Sequence, residues 1–220
     1  MLVLLKILRK IKHAVAPLFT STSSIKYWEK RAKQYGARSV IHLGHSEEEL
    51  AAITQKQQNI LFPLLQKELK GDEKLLLDLG CGPGRFTHDL AVLCHCQAVG
   101  IDPIQHLLDI APASPLVNYN LMKEGIIPLD DNSVNITWIC LVLGSVTNMT
   151  VLEKTVSEVL RVTKPGGLVF LVEKTSEDLS NYKTKTVAFY ESSFKVFNLR
   201  KIEEYQDLED CNSIFIGRKP

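Results

Sequence analysis

The stretch that most constrains this chain is Leu75-Leu76-Leu77-Asp78-Leu79-Gly80-Cys81-Gly82-Pro83-Gly84-Arg85-Phe86. An apolar run closed by one acid reads as a strand covered on both faces, as in a parallel sheet. Gly80, Gly82 and Gly84 then give a turn without Cβ atoms, where a bound group must come close. The helix expected from Arg85 onward offers free N–H groups at the same spot. Strand and helix readings alternate from there: strands over residues 74–79, 97–101, 116–119, 134–142 and 168–173, helices over 85–93, 104–110, 150–162 and 186–194. This order predicts a doubly wound α/β sheet. Two last strands, 198–205 and 213–218, are joined by residues 206–212 alone. A connection that short suits an antiparallel pair.

The glycine spacing separates two cofactor classes. A dinucleotide turn, G-x-G-x-x-G/A, needs a small last residue for close helix–strand packing, and Arg85 stands in that place. The spacing is instead Asp78-x-Gly80-x-Gly82-x-Gly84. Further on, Ala98-Val99-Gly100-Ile101-Asp102 is a second apolar strand ending in an acid, about 20 residues past the turn, where a carboxylate accepts ribose hydroxyls. Glu158-Val159-Leu160-Arg161-Val162-Thr163-Lys164-Pro165-Gly166-Gly167-Leu168-Val169-Phe170 ends a helix and opens another buried strand.

These three features together resemble the class I S-adenosylmethionine (SAM) dependent methyltransferases. Ile127-Pro128-Leu129-Asp130-Asp131-Asn132-Ser133-Val134-Asn135 resembles the family's approach to its fourth strand, with Asn135 where Asp is common. The resemblance implies a mostly parallel, seven-stranded Rossmann-like sheet closed by an antiparallel hairpin, with extra N-terminal helices. It implies SAM as cofactor and a methyl acceptor at O or N on a small molecule, sugar or lipid head group. The cofactor contacts it implies are Asp78, Gly80, Cys81, Gly82, Gly84, Asp102, Pro103, Asn120, Leu121 and Leu141. The acid that the family places near the third strand for the adenine amino group is missing before Glu124. Asn120 offers a carbonyl oxygen instead, and Leu121 and Met122 offer apolar surface to the ring.

Several residues carry two readings. Asp102 serves the ribose or caps the helix turn after Pro103. Trp28 and Arg31 share a helical face over residues 25–35; they cover SAM and hold its carboxylate, or act as packing anchor and surface charge. His42, His45 and Glu173 are the candidate bases, against loop and structural roles. No motif announces a general base, so no catalytic residue is assigned. Leu141-Val142-Leu143-Gly144-Ser145 after the fourth strand lacks the N-P-P-Y-type signature of nucleobase and amide methylation. Two alternatives remain beside the methyltransferase: a non-catalytic SAM-binding interaction module, and an NAD(P)-binding enzyme.

Composition narrows the partners. A net charge of +1 over 220 residues gives no bulk electrostatic case for nucleic acid. Five cysteines, an odd number, several in expected core elements, suggest a reducing compartment and hence the cytoplasm. Cys94-His95-Cys96 lacks the paired spacing of a zinc site, and no metal is expected. Residues 1–19 interleave Leu2, Leu4, Leu5, Leu8, Ile11 and Val15 with Lys6, Arg9, Lys10, Lys12 and His13, and no acid precedes Glu29. The segment reads as a basic amphipathic helix, too interrupted to span a bilayer. It lies peripherally on an anionic membrane surface, or packs on a partner or on its own domain. Residues 20–24 read as a polar break, which divides the chain into a leader, 1–23, and one domain, 24–220. Ser46 with Glu49 fits a capping box for a long helix to about residue 69, with Gly71 beyond it as the stop. The sequence assigns no oligomeric state.

Overall fold

The computed structural model describes residues 21–123, 125–176 and 185–220. The basic segment 1–19 and Glu124 lie outside the described residues. Helix α1 spans Ser21–Tyr35 and runs into a short 3-10 segment, Gly36–Val40; α2 spans Leu50–Gln66. Then follow β1 (Leu75–Leu79), α3 (Thr87–Leu93), β2 (Gln97–Asp102), α4 (Gln105–Leu108), β3 (Val117–Leu121) and β4 (Val134–Cys140). The chain closes with α5 (Met149–Val162), β5 (Thr163–Lys174), α6 (Val187–Ser193), β6 (Arg200–Asp207) and β7 (Asp210–Arg218).

The seven strands form one sheet in the order β3-β2-β1-β4-β5-β7-β6. Strands β1 to β5 pair in parallel. Strand β7 runs antiparallel to both β5 and β6. The strand order reverses at β1, whose neighbours are β2 and β4, and the crevice for a ligand opens beyond its C-terminal end. The mostly parallel sheet and its antiparallel ending are those expected from the strand spacing.

Both faces of the sheet are dry. On one, Leu61 and Leu65 of α2 and Phe86 and Leu90 pack on Trp138, Phe170 and Ile214. The Trp138 and Phe170 rings stack with centroids 4.8 Å apart, so this tryptophan is core and not a substrate platform. On the other face, Leu152 and Val159 of α5 and Tyr190 of α6 cover Leu77, Leu171 and Phe215. Each fully buried side chain of this size contributes about 1.5–3 kcal/mol, which is why the apolar runs were legible as interior strands. Asn135 has a structural role: its Oδ1 accepts from the N–H groups of Lys74 and Leu75, at 3.1 and 3.2 Å, and ties the start of β1.

Element boundaries differ from expectation where local signals compete. Helix α1 starts at Ser21, inside the expected polar break, and the Ser24 hydroxyl donates to the Ser145 carbonyl at 3.1 Å. The capping box is half formed: the Ser46 N–H donates to Glu49 Oε2 at 2.6 Å, but the helix begins at Leu50. Helix α4 is a single turn, because Pro112 and Pro115 follow it closely and disfavour helical backbone before them. The Pro-Gly-Gly turn lies inside β5, between the pairs Val134–Thr163 and Ile136–Leu168 where the register shifts.

Candidate cofactor site

The turn after β1 is built on β2. The N–H groups of Gly80 and Cys81 both donate to the Ile101 carbonyl, at 2.7 and 3.2 Å. The Gly82 N–H donates to Asp102 Oδ2 at 2.9 Å, and the Ile104 N–H to Asp102 Oδ1 at 2.8 Å. Asp102 therefore caps the turn after Pro103 and also clasps the glycine turn. Each of its oxygens keeps a lone pair for a ligand hydroxyl. Burial pushes its pKa up to about 6 against these two bonds. Asp78, buried at the end of β1, accepts from the Thr87 hydroxyl at 2.6 Å; burial pushes it up to about 7.

The three glycines answer three different neighbours. A Cβ on Gly80, whose φ is +73°, would fall 2.4 and 2.7 Å from the two methyl groups of Val142. One on Gly82 would meet a Val40 methyl at 2.9 Å, and one on Gly84 the Tyr119 hydroxyl at 2.2 Å. Only Gly80 borders open space; the other two allow close packing by protein.

Two cavities meet over this turn and share the walls Trp28, Gly80, Pro103, Ile104, Val142 and Ser145. The smaller, about 110 Å³, is lined by Asp78, Cys81, Arg85, Phe86, Asp102, Cys140 and Leu141. The larger, about 520 Å³, runs between α1, Met122 and α5 past Ile25, Leu143, Val146 and Val151. Of the expected contacts, Asp78, Gly80, Cys81, Asp102, Pro103 and Leu141 line this space. Gly82 and Gly84 stand behind it. Asn120 and Leu121 line neither cavity; they lie in β3, Asn120 paired with Ile101 and Leu121 with Asp102. The chain leaves the sheet at Met122, and Met122 is the residue that reaches the larger cavity.

The other candidates separate in the same way. Trp28 lines both cavities. Arg31 does not; its guanidinium donates to the Ser39 and Ile41 carbonyls at 2.6 and 2.8 Å and lies 5.0 Å over the Trp28 ring. It braces the cover and leaves no obvious charge for a ligand. His45 Nε2 sits 2.7 Å from Asp207 Oδ1, and His42 Nδ1 accepts from the Gly44 N–H at 3.0 Å; both are outside the cavities. Glu173 is committed to backbone. Its Oε1 accepts from Val142 and Leu143 N–H at 2.8 and 2.6 Å, and Oε2 from Gly144 N–H at 3.0 Å. Lys185 Nζ grips the same loop from its carbonyl side, at Leu143, Gly144 and Val146. This loop follows Leu141, a non-glycine residue at φ +60°, a conformation that costs energy and clusters at functional sites.

Residues 77–171 match the family described as a methyltransferase domain. Over this segment the chain is similar to the class I SAM-dependent methyltransferases. A thiol S-methyltransferase from Rattus norvegicus is 35% identical over 121 residues, 50% of this chain and 48% of that one. A demethylmenaquinone methyltransferase from Oceanobacillus iheyensis is 28% identical over 158 residues, 65% of this chain and 63% of that one. The chain thus spans between about half and just under two thirds of the length of these curated relatives. Among solved structures, the cyclase SpnF aligns with a TM-score of 0.70 at 18% identity, covering 94% of this chain and 99% of its own. A SAM-dependent methyltransferase from Aquifex aeolicus aligns with a TM-score of 0.59 at 16% identity, covering 78% and 98%. These likenesses are of fold.

The methyltransferase domain fits its cofactor. The free lone pairs of Asp102 suit the ribose, and the absent Cβ at Gly80 lets Val142 pack on the turn where the two cavities meet.

Proposed function

We propose that this domain transfers the methyl group of SAM to a small apolar acceptor. The observation that carries the reading is the larger cavity, which has Ile25, Trp28, Leu79, Met122, Val142, Leu143, Val146 and Val151 as apolar walls, with Lys26, Glu29 and Lys154 also lining it, and which adjoins the smaller, acid-lined one at Gly80. Bound SAM supplies a methyl group on a sulfonium, ready for in-line displacement. The protein's part is to position and to exclude water. Asp102 accepts from the ribose, Cys140 and Leu141 line the smaller cavity, and Trp28 covers both spaces. None of the expected bases His42, His45 and Glu173 lines the cavities, which favours an acceptor that ionises near neutral pH; Lys26, Glu29 and Lys154 are the titratable groups at the larger cavity. A thiol, with a pKa of about 8.5, meets this requirement. The names of the two relatives, a thiol and a demethylmenaquinone methyltransferase, agree with an apolar acceptor. So does the reading of residues 1–19 as a segment on an anionic membrane surface, where apolar molecules concentrate.

Calorimetric titration with SAM, S-adenosylhomocysteine and NAD, followed by methyl transfer to a panel of small apolar thiols, tests the proposal. Micromolar binding of the first two, none of NAD, and a methylated thiol are expected. Binding without transfer to any acceptor would favour the interaction module, and binding of NAD alone would refute the cofactor.

Asp102 adds a pH signature. Burial raises its pKa to about 6, so the free protein holds this proton below pH 6 and releases it above. The stabilisation that comes with the raised pKa is full below the unfolded value, ~3.9, and is lost as pH rises through 6. Ribose hydroxyls need the ionised form, so SAM affinity should rise with pH through about 6. Asp102→Asn should weaken binding by about 1–3 kcal/mol and abolish that step. A step retained at pH 6 in the variant would assign it to another group.

A further inference from the structure

The tip of the C-terminal hairpin is strained. Strands β6 and β7 are joined by Leu208 and Glu209 alone, between the paired Asp207 and Asp210. A two-residue turn with positive φ at its first position ordinarily takes glycine there. Leu208 holds that place at φ +55°, a conformation costly for a bulky side chain, and it is half exposed. Its partner is Gly44: a Cβ on Gly44 would fall 2.7 Å from Leu208 Cδ1. The residues on either side of Leu208 face the same loop. His45 Nε2 sits 2.7 Å from Asp207 Oδ1, with both side chains largely buried, and His42 Nε2 lies 3.9 Å from Glu209 Oε1 at the more exposed rim. Three consecutive tip residues thus meet three positions of one short loop, residues 42–45.

That loop ends the segment that covers the cavities. Arg38 donates to the Leu43 carbonyl at 3.1 Å and to the His45 carbonyl at 2.7 Å. Arg31 donates to the Ser39 and Ile41 carbonyls and lies over Trp28. The two arginines brace residues 28–45 into one piece. This piece sets Trp28 on both cavities and Val40 on the smaller one, beside Gly82. It also rests on the domain through the Ser24–Ser145 bond and through apolar contact of Trp28, Ala32 and Val40 with Ile104 and Leu107. We propose that the β6–β7 tip is a clasp on this cover, and that Asp207 and Leu208 set how firmly the cofactor is held although neither lines a cavity. They are positioning residues. The assignment rests on the SAM reading above and adds to it the tip of the sheet's edge strand, β6. The strain at Leu208 supports it, because a costly backbone conformation persists where surrounding contacts over-determine it. The contact that does so here is with the cover.

The test is stopped-flow and equilibrium binding of S-adenosylhomocysteine to the full chain, with the melting temperature of each ligand-free variant. Leu208→Gly relieves the turn and removes the contact with Gly44. It changes no charge, so Arg85, which feels the Asp207 carboxylate at the smaller cavity, is left as it is. This variant should melt near the wild-type temperature, since glycine suits the positive φ, and should release S-adenosylhomocysteine roughly 3–30-fold faster with little change in association rate. Asp207→Ala and His45→Ala should each speed release by a similar factor. The double variant should go no further than the larger single one, because losing either partner already opens the clasp. Asp207→Asn, which keeps an acceptor oxygen, should recover part of the loss. An unchanged release rate in Leu208→Gly would confine the tip to a structural role and overturn the proposal, as would effects of His45→Ala and Asp207→Ala that simply add. Should the alanine variants fail to fold, Leu208→Gly decides alone. A wild type that does not bind S-adenosylhomocysteine would refute the cofactor reading itself, and the clasp with it.

Discussion

Gly80→Ala is expected to abolish measurable SAM binding in a chain that remains folded. The new Cβ would lie 2.4 and 2.7 Å from the Val142 methyl groups and 3.1 Å from its Cβ. Val142 cannot simply withdraw. Its N–H donates to Glu173 at 2.8 Å and its carbonyl accepts the Ser145 hydroxyl at 2.7 Å. The residue also has φ +73°, where any side chain costs about 1–2 kcal/mol. The loop must therefore shift at the junction of the two cavities, where a ligand spanning them has to pass. A rise in Kd of more than about 100-fold corresponds to some 3 kcal/mol, well within what such a displacement costs. Circular dichroism would confirm the fold. Gly80→Ala combined with Val142→Ala removes the clashing methyl groups and should regain part of the affinity. Wild-type affinity in the single variant would mean that the cofactor does not cross this junction.

Glu173→Ala is expected to be the most destabilising single change near the site, by roughly 3–5 kcal/mol. The carboxyl group is buried, 1% exposed, and takes three consecutive backbone N–H groups. Removing it leaves these donors without an acceptor and the Lys185 ammonium without its neighbouring carboxylate. Burial raises the Glu173 pKa to about 7, which by itself suggests a general base. The geometry argues otherwise, since its oxygens accept from three backbone N–H groups and the Tyr190 hydroxyl and it lines neither cavity. Urea unfolding of the variant measures the loss. A variant as stable as wild type, but without methyl transfer, would restore Glu173 as a catalytic candidate.

The contrast between Glu173 and Asp102 shows what was legible from residues alone. Each is an acid at the end of an apolar strand, and the sequence offers both a role at the site, ribose contact for Asp102 and candidate base for Glu173. Asp102 lines the cavity with lone pairs to spare, while Glu173 lies behind a loop that it holds together. The same limit applies to Trp28 and Arg31, adjacent on a helical face. Trp28 became a wall of both cavities, and Arg31 was drawn off by the carbonyls of Ser39 and Ile41. Asn120 and Leu121 were reasonable adenine contacts by position, yet neither lines a cavity, whereas Met122, the next residue, lines the larger.

The sequence by itself determined the order of strands and helices, the glycine turn, the two acids beside it, and the antiparallel ending. These depend on hydrophobic period, backbone freedom and connection length, all of which act over a few neighbouring residues. Only the tertiary structure decided which side chains remain available to a ligand. That outcome depends on where every competing carbonyl, carboxylate and N–H group lies in space: Arg31 and Glu173 found partners in the protein, while Asp102 kept lone pairs at the cavity.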